Sequence, residues 1–287
     1  MNKVILTCDS TCDLGKELFE KLNVTTYPYH INLKGESYTD NVDIKPQDLY
    51  EAWWNEKVLP KTAAISIGEF TSFFEKYVNE GYDVVHITLG SGLSASPNNC
   101  RLAAQEFEGR VYVIDSRSLS TGSGLLVLEA AKRIEAGMSA KEVFDEVSAL
   151  VSKTSASFVV DTLDFLHAGG RCSALAKLGA NMLSLKPQIV VKNDEENCGK
   201  MGVGKKYRGK LDKVLVEYVK ETLANRDDLN LDTIFITHSG ISEERIALVK
   251  KTVEECANFK NIYITTASCT ISAHCGPNTL GVLFLTK

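Results

Sequence analysis

The chain has 287 residues, of which 44% are apolar and 24% are charged, as in an ordinary globular protein. Its net charge of −5 comes from interspersed acidic and basic residues, which argues against nucleic acid as a partner. The length suits two domains, and no apolar run approaches the ~20 residues that span a bilayer.

The eight cysteines do not predict disulfide bonds. The N-terminus shows no secretory hydrophobic segment, so we expect a cytoplasmic protein whose thiols stay reduced. Cys8 and Cys12 lack CxxC spacing, and no second cysteine pair or histidine pair follows them. We therefore expect free thiols, and neither a metal nor another cofactor.

Short runs rich in Val and Ile alternate with amphipathic stretches, which predicts strands alternating with helices. The predicted strands are Val4–Thr7, Asp83–Leu89, Val111–Ile114, Ser157–Val160, Gln188–Val191, Thr233–Thr237, Ile262–Thr265 and Val282–Leu285. Helices are expected after Asp13, after Ser139 (with Glu142 completing a capping box) and after Ser242. This order predicts an α/β protein with mainly parallel sheets.

We expect two α/β domains, residues 1–155 and 156–287, and the last strand could return to either of them. Polar segments follow several predicted strands, at the sheet edge where ligands bind in α/β proteins. These segments are Asp9-Ser10-Thr11, Gly90–Ser94, Asp115-Ser116 and His238-Ser239-Gly240.

The segment Gly199–Lys206 nearly matches a phosphate-binding P-loop. It lacks the Ser or Thr after the lysine that would hold Mg²⁺, and an acidic turn precedes it instead of a buried strand. A glycine-rich hairpin arm is the better interpretation, so we do not expect nucleotide binding there.

Gly92-Leu93-Ser94-Ala95-Ser96 has three interpretations. It resembles a G-x-S-x-G nucleophile elbow without the final glycine, and Asp115 or Asp161 could complete a triad with Ser94 and His274. The hydroxyls could instead cap a helix N-terminus. The same helix N-terminus could also bind an anion.

Two further segments carry candidate polar side chains. Lys61 and Thr62 precede Ser66, which has the pattern of a helix N-cap. His274 stands just before Cys275-Gly276-Pro277, so a rigid turn follows a side chain that titrates near neutral pH.

Taken in order, these motifs resemble the DegV family of bacterial fatty-acid-binding proteins, which act as acyl carriers of fatty acid kinase. The resemblance covers nearly the whole chain. The motifs that carry it are Asp9–Leu14, Lys61-Thr62 with Gly68-Glu69-Phe70, Ser91–Ser94, Asp115-Ser116, Leu166–Arg171 and His274–Pro277.

The resemblance implies two α/β domains that hold one long-chain fatty acid between them. It implies that the carboxylate meets Thr62, Ser94 and His274, and the predicted site includes the adjacent Lys61 and Ala95. It further implies that four basic residues face a kinase subunit or, transiently, a membrane surface: Arg171, Lys205, Lys206 and Arg208.

The chain departs from the family at two places. The family usually continues Lys-Thr with Ser-Gln-Pro-Ser, whereas Ala63-Ala64-Ile65-Ser66 stands here. It usually has Gly-Thr-Tyr after Gly-Leu-Ser, whereas Ala95-Ser96-Pro97 stands here. Both departures border the implied pocket, so the family's preference for chain length or unsaturation does not transfer.

The chemistry of these residues suits a carrier. Hydroxyls, a helix N-terminus and a histidine can hydrogen-bond a carboxylate, which opposes burial unless it is fully bonded. The incomplete P-loop agrees with a phosphoryl donor held by another protein. We therefore expect a carrier and kinase co-substrate that is no enzyme by itself. The alternative is a serine hydrolase of lipid or ester substrates that uses Ser94 and His274.

Overall fold

The computed structural model describes residues 2–178 and 185–287. Every apolar run predicted as a strand overlaps a strand of the structure. The strands are β1 (Lys3–Asp9), β2 (Thr25–Tyr27), β3 (His30–Leu33), β4 (Glu36–Thr39), β5 (Lys61–Ala63), β6 (Tyr82–Thr88), β7 (Val111–Asp115), β8 (Thr154–Val159), β9 (Leu185–Val191), β10 (Met201–Arg208), β11 (Leu229–Ser239), β12 (Asn261–Thr266) and β13 (Thr279–Thr286).

Helices connect these strands along most of the chain. They are α1 (Lys16–Lys21), α2 (Pro46–Glu56), α3 (Ile67–Asn79), α4 (Ser96–Ala104), α5 (Thr121–Glu135), α6 (Ala140–Ser148), α7 (Asp164–Gly169), α8 (Leu211–Leu223), α9 (Glu243–Cys256) and α10 (Cys269–Cys275). Ser66 and Ser139 cap α3 and α6 in capping boxes, as predicted. None of these helices, within the described residues, is long and apolar enough to cross a bilayer.

The first sheet is parallel, in the order β2-β1-β6-β7. Parallel strands end at one edge, so the loops that follow them meet there. The backbone N–H of Leu89 donates to the Asp9 carboxylate at 2.7 Å, and that of Ser91 donates to Asp115 at 3.1 Å. The polar segments after β1, β6 and β7 therefore form one cluster, as the sequence predicted.

The second sheet has the order β10-β9-β8-β13-β11-β12 and corrects one expectation. Its strand pairs are antiparallel except for β11 with β12. The α/β class is confirmed, and the expected mainly parallel pairing holds in the first sheet, but this second sheet is mostly antiparallel. The short β9–β10 connection accounts for one antiparallel pair because it can only reverse the chain, and the insertion of β13 antiparallel to β8 and β11 accounts for two more. The C-terminal strand β13 lies in this sheet, between β8 and β11.

A third, small antiparallel sheet has the order β4-β3-β5 and was not predicted. Its strands are three or four residues long, too short for a clear period-two pattern. Together with α2 it packs on α7 and α10, through a cluster that includes Ile31, Leu49, Phe165 and Ala273. This packing carries Thr62, on β5, to the C-terminal half of the chain.

The main core is continuous between the two larger sheets. Helix α5 contacts β1 and β6 of the first sheet and β8, β11 and β13 of the second. Its first eight residues, Thr121–Leu128, are all buried, so it lacks a solvent-facing stripe over that length. The strands of the second sheet all follow Lys153. The domain boundary near residue 155 stays a prediction.

Candidate functional site

Three segments distant in the sequence meet in one cavity. Thr62 lies on β5, Ser94 in the loop between β6 and α4, and His274 in the last turn of α10. All three line a cavity of about 160 Å³, together with Ala95 and Arg171. Lys61 of the predicted site is exposed and does not line this cavity. The Thr62 Oγ1 and His274 Nε2 atoms lie 2.9 Å apart, within hydrogen-bonding distance.

His274 is a neutral imidazole at physiological pH. Burial, and to a smaller extent the positive charge of Arg171, lower the pKa of His274 to about 4. Its Nδ1 atom is buried and has no hydrogen-bond partner among the described residues. Gly169 makes room for that side of the ring, since a Cβ there would lie 2.3 Å from Nδ1. The Nδ1 side of the ring thus packs against Gly169, while Nε2 lies beside Thr62 at the cavity wall, and the ring carries no permanent charge.

Ser94 forms local hydrogen bonds at the start of α4. Its Oγ accepts from the backbone N–H of Ser96 at 3.2 Å and donates to the Ser96 hydroxyl at 3.2 Å. Ser96 Oγ in turn accepts from the backbone N–H of Ile65 at 2.9 Å. Ser94 is half-buried at the cavity wall, so it combines a capping contact with access to the cavity.

Neither aspartate that could have completed a triad contacts His274. The Asp115 carboxylate accepts from the backbone N–H groups of Ser91 and Arg117, at 3.1 and 2.9 Å. Asp161 pairs with Lys186 and accepts from Asn278 Nδ2 at 3.2 Å. His274 is thus not oriented by a carboxylate in the way that a serine hydrolase requires. The geometry gives no support to the hydrolase alternative.

The glycine-rich loop before Ser94 is braced by the β9–β10 hairpin. The backbone N–H of Gly92 donates to the Cys198 carbonyl at 2.8 Å. A Cβ on Gly92 would lie 2.5 Å from the Asn197 carbonyl oxygen, so only glycine allows this approach. The segment Gly199–Lys206 is accordingly part of a hairpin arm, as predicted, and not a P-loop.

An apolar cavity of about 50 Å³ continues inward from the first one. Leu119, Met201, Ile271 and His274 line both cavities and mark their junction. The wall atoms that face this cavity are almost all apolar and come from side chains such as Phe158, Leu166 and Leu283, although polar residues, among them Thr237, His238 and Ser239, also line it. A polar mouth therefore leads to an apolar interior, which is the arrangement that an amphipathic ligand needs.

Residues 3–287 match the family described as "Uncharacterised protein, DegV family". The chain belongs to the DegV family. A DegV domain-containing protein of Clostridium acetobutylicum is 30% identical over 290 residues, which cover 100% of both chains.

Solved DegV structures share the whole fold. A DegV family protein from Thermus thermophilus, described by its fatty acid binding, is 27% identical with a TM-score of 0.87 over 100% of both chains. A DegV lipid binding protein from Thermotoga maritima is 26% identical with a TM-score of 0.84, covering 99% of this chain and 98% of that one. A stearic acid-binding protein from Eubacterium ventriosum is 26% identical with a TM-score of 0.81, covering 100% and 99%. These likenesses confirm the two-domain α/β fold expected of a DegV protein.

The basic residues of this DegV chain lie in two places. Arg171 is exposed at the mouth of the outer cavity, and its Nη1 donates to the Gly169 carbonyl at 2.7 Å. Lys205, Lys206 and Arg208 lie on β10, an edge strand of the second sheet. All three side chains are exposed, and Lys205 pairs with Glu217 at 3.0 Å and with Glu221. Met201, at the start of β10, lines both cavities, and Lys205 lies about 13 Å further along the strand at roughly 3.3 Å per residue. The role of these basic residues at a partner interface stays a prediction.

Several residues of the site were missed by sequence reasoning. Met201 and Ile271 join the two cavities, and nothing in their local sequence distinguishes them from other apolar residues. Tyr29 also lines the outer cavity, and its buried hydroxyl has no hydrogen-bond partner among the described residues. A buried tyrosine usually finds a partner for its hydroxyl, which makes Tyr29 an additional candidate donor to a ligand.

Metal binding has no support from the described part of the chain. No group of three His, Cys, Asp or Glu side chains there is arranged to hold an ion. The eight cysteines are free thiols.

Proposed function

We propose that this protein binds one long-chain fatty acid. The carboxylate lies in the outer cavity with Thr62, Ser94 and His274, and the tail extends into the inner cavity. The observation that carries the proposal is the junction at Ile271 and His274, where a cavity with polar groups opens into an apolar one. The fatty acids named for related DegV structures support the same ligand class.

The energetics favour an acyl ligand over a small polar one. Each methylene removed from water contributes ~0.8 kcal/mol, so a long tail provides most of the affinity. The carboxylate opposes burial unless it is hydrogen-bonded, and each charge-assisted bond contributes about 1.5–3 kcal/mol. The Thr62 and Ser94 hydroxyls and the neutral His274 ring provide those bonds. Arg171 is exposed at the mouth, where solvent screens its charge, so it contributes little to this affinity.

The bound fatty acid is then presented to a separate ATP-dependent kinase subunit. There a carboxylate oxygen attacks the γ-phosphorus of ATP, the bond from that phosphorus to the β–γ bridging oxygen breaks, and an acyl phosphate and ADP form. The carboxylate lies at the mouth end, beside Arg171, so the reacting group is nearest to an approaching partner. The basic residues Arg171, Lys205, Lys206 and Arg208 contact that kinase, or transiently an anionic membrane surface. On this proposal the protein is a cytoplasmic carrier and co-substrate.

Native mass spectrometry of the purified protein, followed by denaturation and lipid extraction, tests the ligand. We expect one fatty acid per chain. A tightly bound sugar or phosphorylated compound in its place would overturn the proposal. Incubation of the loaded protein with a fatty acid kinase subunit and ATP tests the second part, and the expected product is an acyl phosphate. Covalent labelling of Ser94 by a fluorophosphonate would instead indicate a hydrolase.

A further inference from the structure

Two carboxylates from the N-terminal half hold the first turn of α10. The Asp13 carboxylate accepts from the backbone N–H of Ser268 at 2.9 Å, and Asp40 accepts from that of Cys269 at 2.8 Å. The sequence predicted Asp13 as the start of a helix, but α1 begins at Lys16 and the Asp13 side chain points inward. Its carboxyl group accepts a hydrogen bond at the start of α10, from a residue 255 positions away in the sequence, and not from the start of the neighbouring α1.

Both carboxylates are fixed in place by hydroxyl groups. Ser120 Oγ donates to Asp13 at 2.6 Å, and Ser10 Oγ donates to Asp40 at 2.7 Å. The two aspartates are 4% and 2% exposed, and neither forms an ion pair among the described residues. Burial without a cation partner raises the pKa of both carboxyl groups, so hydrogen bonds and not an ion pair hold these side chains in place. Each carboxyl group accepts a hydrogen bond from a backbone N–H at the start of α10, Asp13 from Ser268 and Asp40 from Cys269.

Helix α10 carries a large share of the site. Thr270, Ile271 and His274 line the outer cavity, and Ile271 and His274 also line the inner one. The helix has seven residues, so it forms few internal hydrogen bonds and depends on tertiary contacts for its position. A change of its tilt at Ser268 would move His274, which is roughly 9 Å further along the axis at 1.5 Å per residue.

We propose that Asp13 and Asp40 are positioning residues for the headgroup site, and that they set the distance between His274 and Thr62 by holding α10 from the opposite half of the molecule. That His274 contacts a fatty-acid carboxylate rests on the proposed function. That the two aspartates position His274 is independent of the proposed function.

The test compares Asp13→Ala and Asp40→Ala with Asp13→Asn and Asp40→Asn. An asparagine keeps an acceptor for the α10 N–H, whereas an alanine does not. Two quantities are measured: the affinity for oleic acid, and the ¹³C NMR resonance of His274 in the ligand-free protein, assigned by its absence in His274→Gln. We expect the alanine variants to shift the resonance and to weaken oleic acid binding by about tenfold, the loss of about one hydrogen bond. The asparagine variants should retain both wild-type values.

A control variant separates positioning from general destabilisation. Val249→Ala removes buried packing in the C-terminal cluster, away from both cavities. It should lower the melting temperature without shifting the His274 resonance. An unchanged resonance in both alanine variants, or an equal shift in Val249→Ala, would overturn the proposal. If the wild-type protein does not bind oleic acid, the proposed function fails. The His274 resonance of the ligand-free variants still tests whether the two aspartates position His274.

A second pair of variants covers the case in which the alanine variants do not fold. Ser268 has a φ of −59°, which proline adopts without strain. Ser268→Pro removes the N–H that donates to Asp13, and Ser268→Ala removes only the hydroxyl. The Ser268 hydroxyl also caps α10 at the Ile271 N–H, a contact that both variants lose, so the His274 resonance should shift further in Ser268→Pro than in Ser268→Ala. The same resonance position in both variants would contradict the role of Asp13.

Discussion

Thr62 and His274 are separated by 212 residues, yet Thr62 Oγ1 and His274 Nε2 lie 2.9 Å apart. The contact joins the small antiparallel sheet, through β5, to α10. It places two groups that can hydrogen-bond a carboxylate at the entrance of an apolar cavity.

Replacing His274 by alanine should weaken fatty acid binding by roughly 10- to 100-fold, because the carboxylate loses a charge-assisted hydrogen bond. Titration calorimetry with a fatty acid measures the change. His167→Ala is the matched control, since His167 is exposed on α7 and lines neither cavity. Equal affinities of His274→Ala and the wild type would remove His274 from the site.

Ser94→Ala should weaken binding by a similar factor and leave the fold intact, because its capping bond to Ser96 is local. Loss of a hydroxyl that accepts from a backbone N–H at a helix N-terminus typically costs about 1 kcal/mol of stability. Ser91→Ala, an exposed serine in the same loop, provides the comparison. If both serine variants retain fatty acid equally well in a lipid extraction assay, the Ser94 hydroxyl does not contact the ligand.

Arg171→Ala should raise the pKa of His274, because the positive charge of Arg171 contributes to lowering it. An NMR titration of the His274 resonance measures this shift. Fatty acid binding should change little, since Arg171 is exposed, but phosphorylation by the kinase subunit should fall. Normal phosphorylation of Arg171→Ala would remove this residue from the partner interface.

Gly92→Ala should destabilise the protein by about 1–3 kcal/mol, because the new Cβ would clash with the hairpin at Asn197. Gly68→Ala is the control: it lies in α3, its Cβ would meet no atom within 4 Å, and alanine is the better helix former. Thermal unfolding of both variants checks the difference. Equal melting temperatures would show that the hairpin does not constrain the Ser94 loop.

The free energy of unfolding should decrease as the pH rises from about 6.5 to about 8. Burial raises the pKa of Asp13 from 3.8 to about 8, so over this range the folded protein holds a proton that the unfolded chain has already lost, and stability falls as that proton leaves. Below about pH 6.5 the lowered pKa values of the buried His86 and His274 act in the opposite direction to the raised pKa of Asp9 and offset it. Urea unfolding at several pH values measures the slope. Asp13→Asn should flatten it above about pH 6.5, and an unchanged slope in that variant would show that Asp13 does not titrate in this range.

Much of the local structure could be predicted because it depends on neighbouring residues. The Val- and Ile-rich runs predicted the long strands, and the serine–glutamate pairs at Ser139 and Glu142 predicted the start of α6. The order of the motifs indicated Thr62, Ser94 and His274, which the structure brings into one cavity. Lys61, adjacent in sequence to Thr62, alternates to the other side of the strand and is exposed.

The sequence by itself determined the α/β class, the hydroxyl-bearing loops that follow the strands, and the histidine that precedes the Gly-Pro turn. Only the tertiary structure decided that the second sheet is mostly antiparallel, that Met201 and Ile271 join two cavities, and that Asp13 caps a helix 255 residues away. The physical reason is the sequence separation over which each interaction acts. Secondary-structure propensity and local capping act between residues a few positions apart, whereas strand pairing and cavity shape depend on packing between distant parts of the chain.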